Sequence, residues 1–191
     1  MLVSRTPEKI GETLCLDYAN SVEWSSEDEH PDVLRTSDML GRWGRRLGLF
    51  SDDAKSASEA ELRRARALRD AVYRLFSSIS RDQKPARKDL DVLMSNYIEA
   101  VKHASLLAGE DFYKLDWPAR DPRRIRYAVA TDAIALLHDP SRLKRVSRCP
   151  GRGCGWLFLN ISGRRRWCSM STCGSRAKMR RLHQRRRQHA D

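Results

Sequence analysis

The chain contains no run of eighteen or more apolar residues, the length a membrane-spanning helix needs. Its opening, MLVSRTPEKIGE, is too polar for the apolar stretch of a secretory signal. The expected location is therefore the cytoplasm, with no membrane partner. A glycine-rich nucleotide loop and a nucleophile–base motif are also missing, which argues against an enzyme. Acidic residues are scarce in one place only. From Arg142 onward, fifteen Lys and Arg stand against a single acid, Asp191. Residues 1–141 hold twenty-two bases and twenty-four acids. The net charge of +12 thus resides in the C-terminal segment, and charge of that sign and density calls for a polyanion partner.

Residues 1–140 show no internal repeat and no low-complexity linker. They read as one compact, mainly helical domain, followed at His138–Ser141 by a shift in composition and a small module, residues 141–191. A module of that size buries too little surface to hold itself together readily, and structural metal is one usual remedy. The cysteines supply the donors. Cys149, Cys154, Cys168 and Cys173 form two CxxxxC pairs, a spacing suited to one structural Zn²⁺, because four thiolates close a tetrahedral site and leave no position for a substrate water. In a reducing compartment such pairs favour metal over disulfides. The fifth cysteine, Cys15, sits in the apolar run Leu14–Leu16 and reads as a buried small hydrophobe.

Along the N-terminal domain, Leu14, Leu16 and Tyr18 recur at period two and predict a short strand, with Asp17 and Asn20 at its exit. That pair is the candidate ligand site of the domain, although a strand-end turn uses the same residues. Residues 21–35 are acidic, aperiodic and loop-like. A helix capped by Thr36 or Ser37 follows, with Leu40, Trp43 and Leu47 on one face and Gly48 after its end. Ser58–Glu61 matches a capping box opening a helix that runs through Ile79, its arginines on a solvated face. After Pro85 a helix is expected to pack through Leu90, Leu93, Met94, Tyr97, Ile98 and Val101. Ser105–Trp117 predicts a β-hairpin. Asp121 is expected to cap a helix with Pro122 at its first position, ending before Pro140.

In the module, Trp156–Leu159 reads as a strand, Asn160–Gly163 as a turn and Arg164–Trp167 as the return strand. Ser175 is expected to cap a last helix, about 176–188, whose Met179 and Leu182 face the zinc lobe. The fold class is thus mainly α with a small β component (α+β), ending in a Cys₄ zinc-ribbon or treble-clef-like module with a basic helix.

CGWLFLN at Cys154–Asn160, RRRWCSM at Arg164–Met170 and CGSR at Cys173–Arg176 make the module similar to the bacterial CGNR-type zinc finger, with Ser175 where that motif has Asn. LCLDYANSV at Leu14–Val22 resembles the opening of the ABATE domain that accompanies this finger. The resemblance implies a stress-induced transcription regulator.

Read for chemistry, Arg164, Arg165 and Arg166 on the hairpin, with Arg176, Lys178, Arg180, Arg181, Arg185, Arg186 and Arg187 on the last helix, are the candidate nucleic-acid contacts. Trp156 and Trp167 beside the cysteines favour core packing over stacking on unpaired bases. Duplex DNA is therefore expected ahead of RNA. The competing reading is an RNA-binding or ribosome-associated zinc ribbon. An enzyme built on Asp17, Asn20, His103 or His138 ranks last. A homodimer and a small-molecule effector of the N-terminal domain complete the expectations.

Overall fold

The computed structural model describes residues 10–22, 32–54 and 56–188. Most of the acidic loop expected at 21–35 lies outside the described residues. The first element is already a departure from expectation. Leu14–Ala19 is a helix, α1, capped by the Thr13 hydroxyl, which accepts from the Leu16 N–H at 3.4 Å. The period-two pattern misleads because α1 is buried all round: Cys15, Leu16, Tyr18 and Ala19 are each 0% exposed. Such a helix carries no amphipathic stripe. Nor does it need a strand partner for its free N–H groups, since Cys15 N–H donates to Asp132 at 2.8 Å.

Helix α2, Ser37–Arg46, starts at Thr36, whose hydroxyl accepts from Met39 N–H, and is followed by Gly48 at φ +70°. Helix α3, Glu59–Ile79, is capped by Ser58, but only half of the expected box forms. The Glu61 carboxylate reaches Arg126 instead of the backbone at the helix start. Arg69, expected on a solvated face, is buried and paired with Asp32 and Asp70. Helix α4, Arg87–Lys102, buries Asp89, Leu93, Asn96 and Ala100. Of the side chains expected to pack, Leu90, Met94, Ile98 and Val101 are instead 37–48% exposed.

The predicted hairpin is present: β1, Ser105–Ala108, pairs antiparallel with β2, Tyr113–Asp116. The early segment, being helical, does not join it. Helix α5, Arg124–Leu137, begins after a turn in which Asp121 accepts from Arg123 N–H, so Asp121 and Pro122 precede the helix and do not cap it. Asp139 caps the one-turn helix α6, Pro140–Leu143.

Helices α1, α3, α4 and α5 enclose the core, and this core crosses the domain boundary expected at 140/141. Val146, Leu157 and Leu159 are buried in the same cluster as Leu16, Leu68 and Val129. An arginine is buried among these helices. Arg126, 1% exposed, donates to Glu61, Glu99 and Asn96 at 2.7–3.2 Å. A buried guanidinium with its donors on two carboxylates and an amide avoids the cost of an unpaired charge. No described helix is long and apolar enough to cross a membrane.

Candidate metal centre and nucleic-acid interface

The module opens with β3, Val146–Arg148, which pairs antiparallel with β4, Leu157–Leu159. The return strand expected at Arg164–Trp167 does not form. Side chains hold that segment in place of a ladder: Arg165 N–H donates to the Asn160 side chain at 2.9 Å, and the Arg165 guanidinium to the carbonyls of Trp167, Cys168 and Ile10. The hairpin that does form, β3–β4, encloses only the first cysteine pair, and the second pair returns to it through the segment that Arg165 holds.

The turn between these strands carries Cys149 and Cys154, and Gly151 is required there because a Cβ would fall 2.8 Å from the Cys173 sulfur. One turn of π-helix, Met170–Gly174, delivers Cys173 and runs into α7, Ser175–Gln188. Ser175 has helical dihedrals and sits inside this continuous helical run, so the capping role expected of it is not used.

All four sulfurs lie within 4.8 Å of one another, and those of Cys154 and Cys168 are 3.7 Å apart. Thiolates about 2.3 Å from a tetrahedral zinc would be separated by about 3.8 Å, so the spacing already suits the ion. The titration behaviour points the same way. Hydrogen bonds with Cys154 and Cys168 draw the Cys149 thiol far below its ordinary range, while the bond to Cys149 pushes Cys154 up and the bonds to Cys149 and Cys154 push Cys168 up. One thiolate is tolerated and further ones lack a countercharge; a divalent cation removes that conflict. The quartet is a site for one structural Zn²⁺. Cys15, by contrast, is buried, and desolvation pushes its thiol well up, which suits an inert core residue.

Around the cysteines, Ile10 and Phe158 form a small core with Trp156 and Trp167 packed on it. Trp156 also donates its indole N–H to the Val22 carbonyl at 3.1 Å. The N-terminal domain grips the module elsewhere too. Asn20 both donates to the Leu157 carbonyl and accepts from its N–H, each at 2.8 Å. Tyr73 donates to the Gly155 carbonyl, and Leu159 N–H to that of Gly11. Asp17 accepts from Gly11 N–H at 2.7 Å. Both members of the Asp17–Asn20 pair are buried with their side chains engaged by backbone. His103 stacks on Tyr127, and His138 is exposed at the end of α5.

The candidate nucleic-acid contacts fall into two groups. Arg164 and Arg166 are exposed, as are Arg176, Lys178, Arg180, Arg181, Arg185, Arg186 and Arg187 on α7. Met179 and Leu182, expected to face the zinc lobe, are also exposed, at 48% and 41%; Ala177 is the buried residue of this helix. Arg165 differs from its neighbours: besides its three carbonyls it pairs with Glu12 and lies 4.4 Å over the Phe158 ring. Three bases not singled out by motif, Arg142, Lys144 and Arg145, line a cleft with Leu159 and Ile161 beside the 160–163 turn. The three bases are neighbours along the chain; what the fold adds is β4 and the 160–163 turn beside them, with Asn160 N–H donating to the Arg145 carbonyl.

A family model described as "Putative stress-induced transcription regulator" (ABATE) matches residues 12–140. A second, described as "CGNR zinc finger", matches residues 145–186. No curated protein matches the chain.

Proposed function

The chain belongs to the ABATE family, and from that membership we propose that it is a DNA-binding transcriptional regulator whose zinc module presents arginines to duplex DNA. The observation that carries this reading is α7. Over fourteen residues it holds seven Lys and Arg, all exposed, and no acid. Like charges four apart, such as Arg176 with Arg180 and Arg181 with Arg185, destabilise an isolated helix. Phosphates relieve that repulsion, and release of their condensed counterions drives association. A single α-helix fits the major groove, where Arg recognises guanine O6 and N7.

The proposed division at 140/141 is one of labour: residues 141–191 make the contact and 1–140 support it. Arg164, Arg166 and the cleft residues Arg142, Lys144 and Arg145 extend the contact surface beyond α7, and Arg165 acts as a brace behind it. The part-buried, hydrogen-bonded Trp156 supports duplex over unpaired partners, because a ring tied to Val22 makes a poor stacking platform. Selection from random duplex and single-stranded pools tests the reading. An enriched duplex motif is expected, with affinity falling on a log–log salt plot by about 0.9 per phosphate contact. Neutralising Arg180, Arg181 and Arg185 is expected to weaken binding with zinc retained. Preference for unpaired RNA would overturn it in favour of an RNA-binding protein.

A further inference from the structure

Helix α4 bears an apolar stripe that the fold leaves uncovered. Leu90, Met94, Ile98 and Val101 are 37%, 48%, 48% and 46% exposed, and they lie three or four residues apart on one flank. The hairpin that follows α4 is apolar and exposed too: Leu106 is 65%, Leu107 42%, Phe112 59% and Tyr113 71% exposed. Its base is anchored, since Trp117 donates to the Ala100 carbonyl and Arg124 pairs with Asp116. All four residues of β1 are nonetheless exposed, and a two-stranded hairpin in water is marginal by itself. Uncovered apolar surface of this kind marks an interaction site.

We propose that α4 and the β1–β2 hairpin form a self-association surface, occupied by α4 of a second copy in antiparallel, twofold-symmetric packing. Charge placement selects this occupant. Asp91 and Lys102 lie about three helical turns apart and so border the stripe on the same flank. Their midpoint falls between Met94 and Ile98, among the exposed side chains. In an antiparallel pair centred there, Asp91 of each copy is level with Lys102 of the other. Asp91 already pairs with Arg87 at 2.8 Å, but both are on the surface, at 57% and 86% exposure, so that pair exchanges at little cost.

The same packing sets the C-terminal end of α4, where the hairpin begins, beside the N-terminal end of the second helix. There the acidic hairpin loop, Glu110 and Asp111, meets the basic approach to α4: Arg81, Lys84, Arg87 and Lys88. The exposed parts of the four α4 side chains sum to roughly 350 Å², and those on one face of the hairpin add to them, which suits a small, reversible interface. A twofold contact is closed, so it ends at a dimer.

The test is sedimentation equilibrium of the zinc-loaded full chain without nucleic acid, so its outcome is separate from what the basic surface binds. The wild type is expected to dimerise reversibly in the micromolar range. The double substitution Met94→Glu with Ile98→Glu should weaken the dimer by about 100-fold or more, with helix content and zinc unchanged, because it buries unpaired carboxylates. Asp91→Lys and Lys102→Asp should each weaken it by about 3–10-fold, and the two together should restore it. A wild type that stays monomeric, a dimer indifferent to the glutamates, or charge swaps that do not rescue one another would overturn the proposal.

Discussion

Two arginines hold two regions of this molecule, and they do so in opposite ways. Arg126, inside the helical region, donates to the carboxylates of Glu61 and Glu99. Arg165, inside the zinc module, donates to three backbone carbonyls and to Glu12. Helices satisfy their own carbonyls and leave only side chains for a buried cation to find. The module is mostly loop, its carbonyls are free, and an arginine can replace a missing β-ladder. The helical region therefore depends on burial plus buried ionic pairs such as those of Arg126 and Arg69, whereas the module depends on metal plus arginine-to-backbone clamps.

Removing the metal should break this contrast most severely. Cys168→Ala is expected to abolish stoichiometric zinc, and with it much of the roughly 10–16 kcal/mol that structural zinc contributes to small modules. Metal analysis and limited proteolysis would check it, with cleavage expected first within 149–173. Because Asn20, Tyr73 and Trp156 tie the module to the helices, the urea midpoint of the helical region should fall as well.

Arg126→Met comes next. It leaves Glu61 buried without its cation, and breaking such a pair costs about 3–5 kcal/mol. Urea unfolding followed by far-UV dichroism should report that loss with zinc still one per chain. Arg165→Ala should cost less, about 1.5–3 kcal/mol, the worth of charge-assisted hydrogen bonds, and lower nucleic-acid affinity less than loss of Arg180 or Arg181.

The smallest effect is on acid stability. The hydrogen bond from Arg126 holds the Glu99 carboxyl at about 2, below its ordinary 4.5. A carboxyl lowered on folding stabilises the fold above its unfolded value, and this contribution disappears as pH falls from about 4.5 through about 2. The stability difference between wild type and Glu99→Gln should therefore shrink across that window, measured by urea midpoints at stepped pH.

Much of the candidate site was legible along the chain. The CxxxxC pairs named the zinc ligands because a metal constrains spacing directly, and the run of arginines marked the basic surface because charge needs no partner to be seen. The hairpin at 105–117 and the helices from Ser58 and Pro85 were legible through their periodicity. What failed shares one cause. Leu14–Tyr18 suggested a strand because a helix buried on every side has no stripe to show. Arg164–Trp167 suggested a strand because nothing in RRRW says that Arg165 turns inward. Met94 and Ile98 suggested core because an apolar flank facing solvent has the same spacing as one facing the protein.

Local chemistry thus determined the donors, the charge and most of the helices, since each depends on residues close in sequence. The tertiary structure decided which polar groups are committed. Asn20 and Leu157 are separated by 137 positions, and only the folded chain makes them a two-way hydrogen-bonded pair. Burial is a property of the whole chain, because whether a side chain meets water depends on elements that arrive from elsewhere in the sequence.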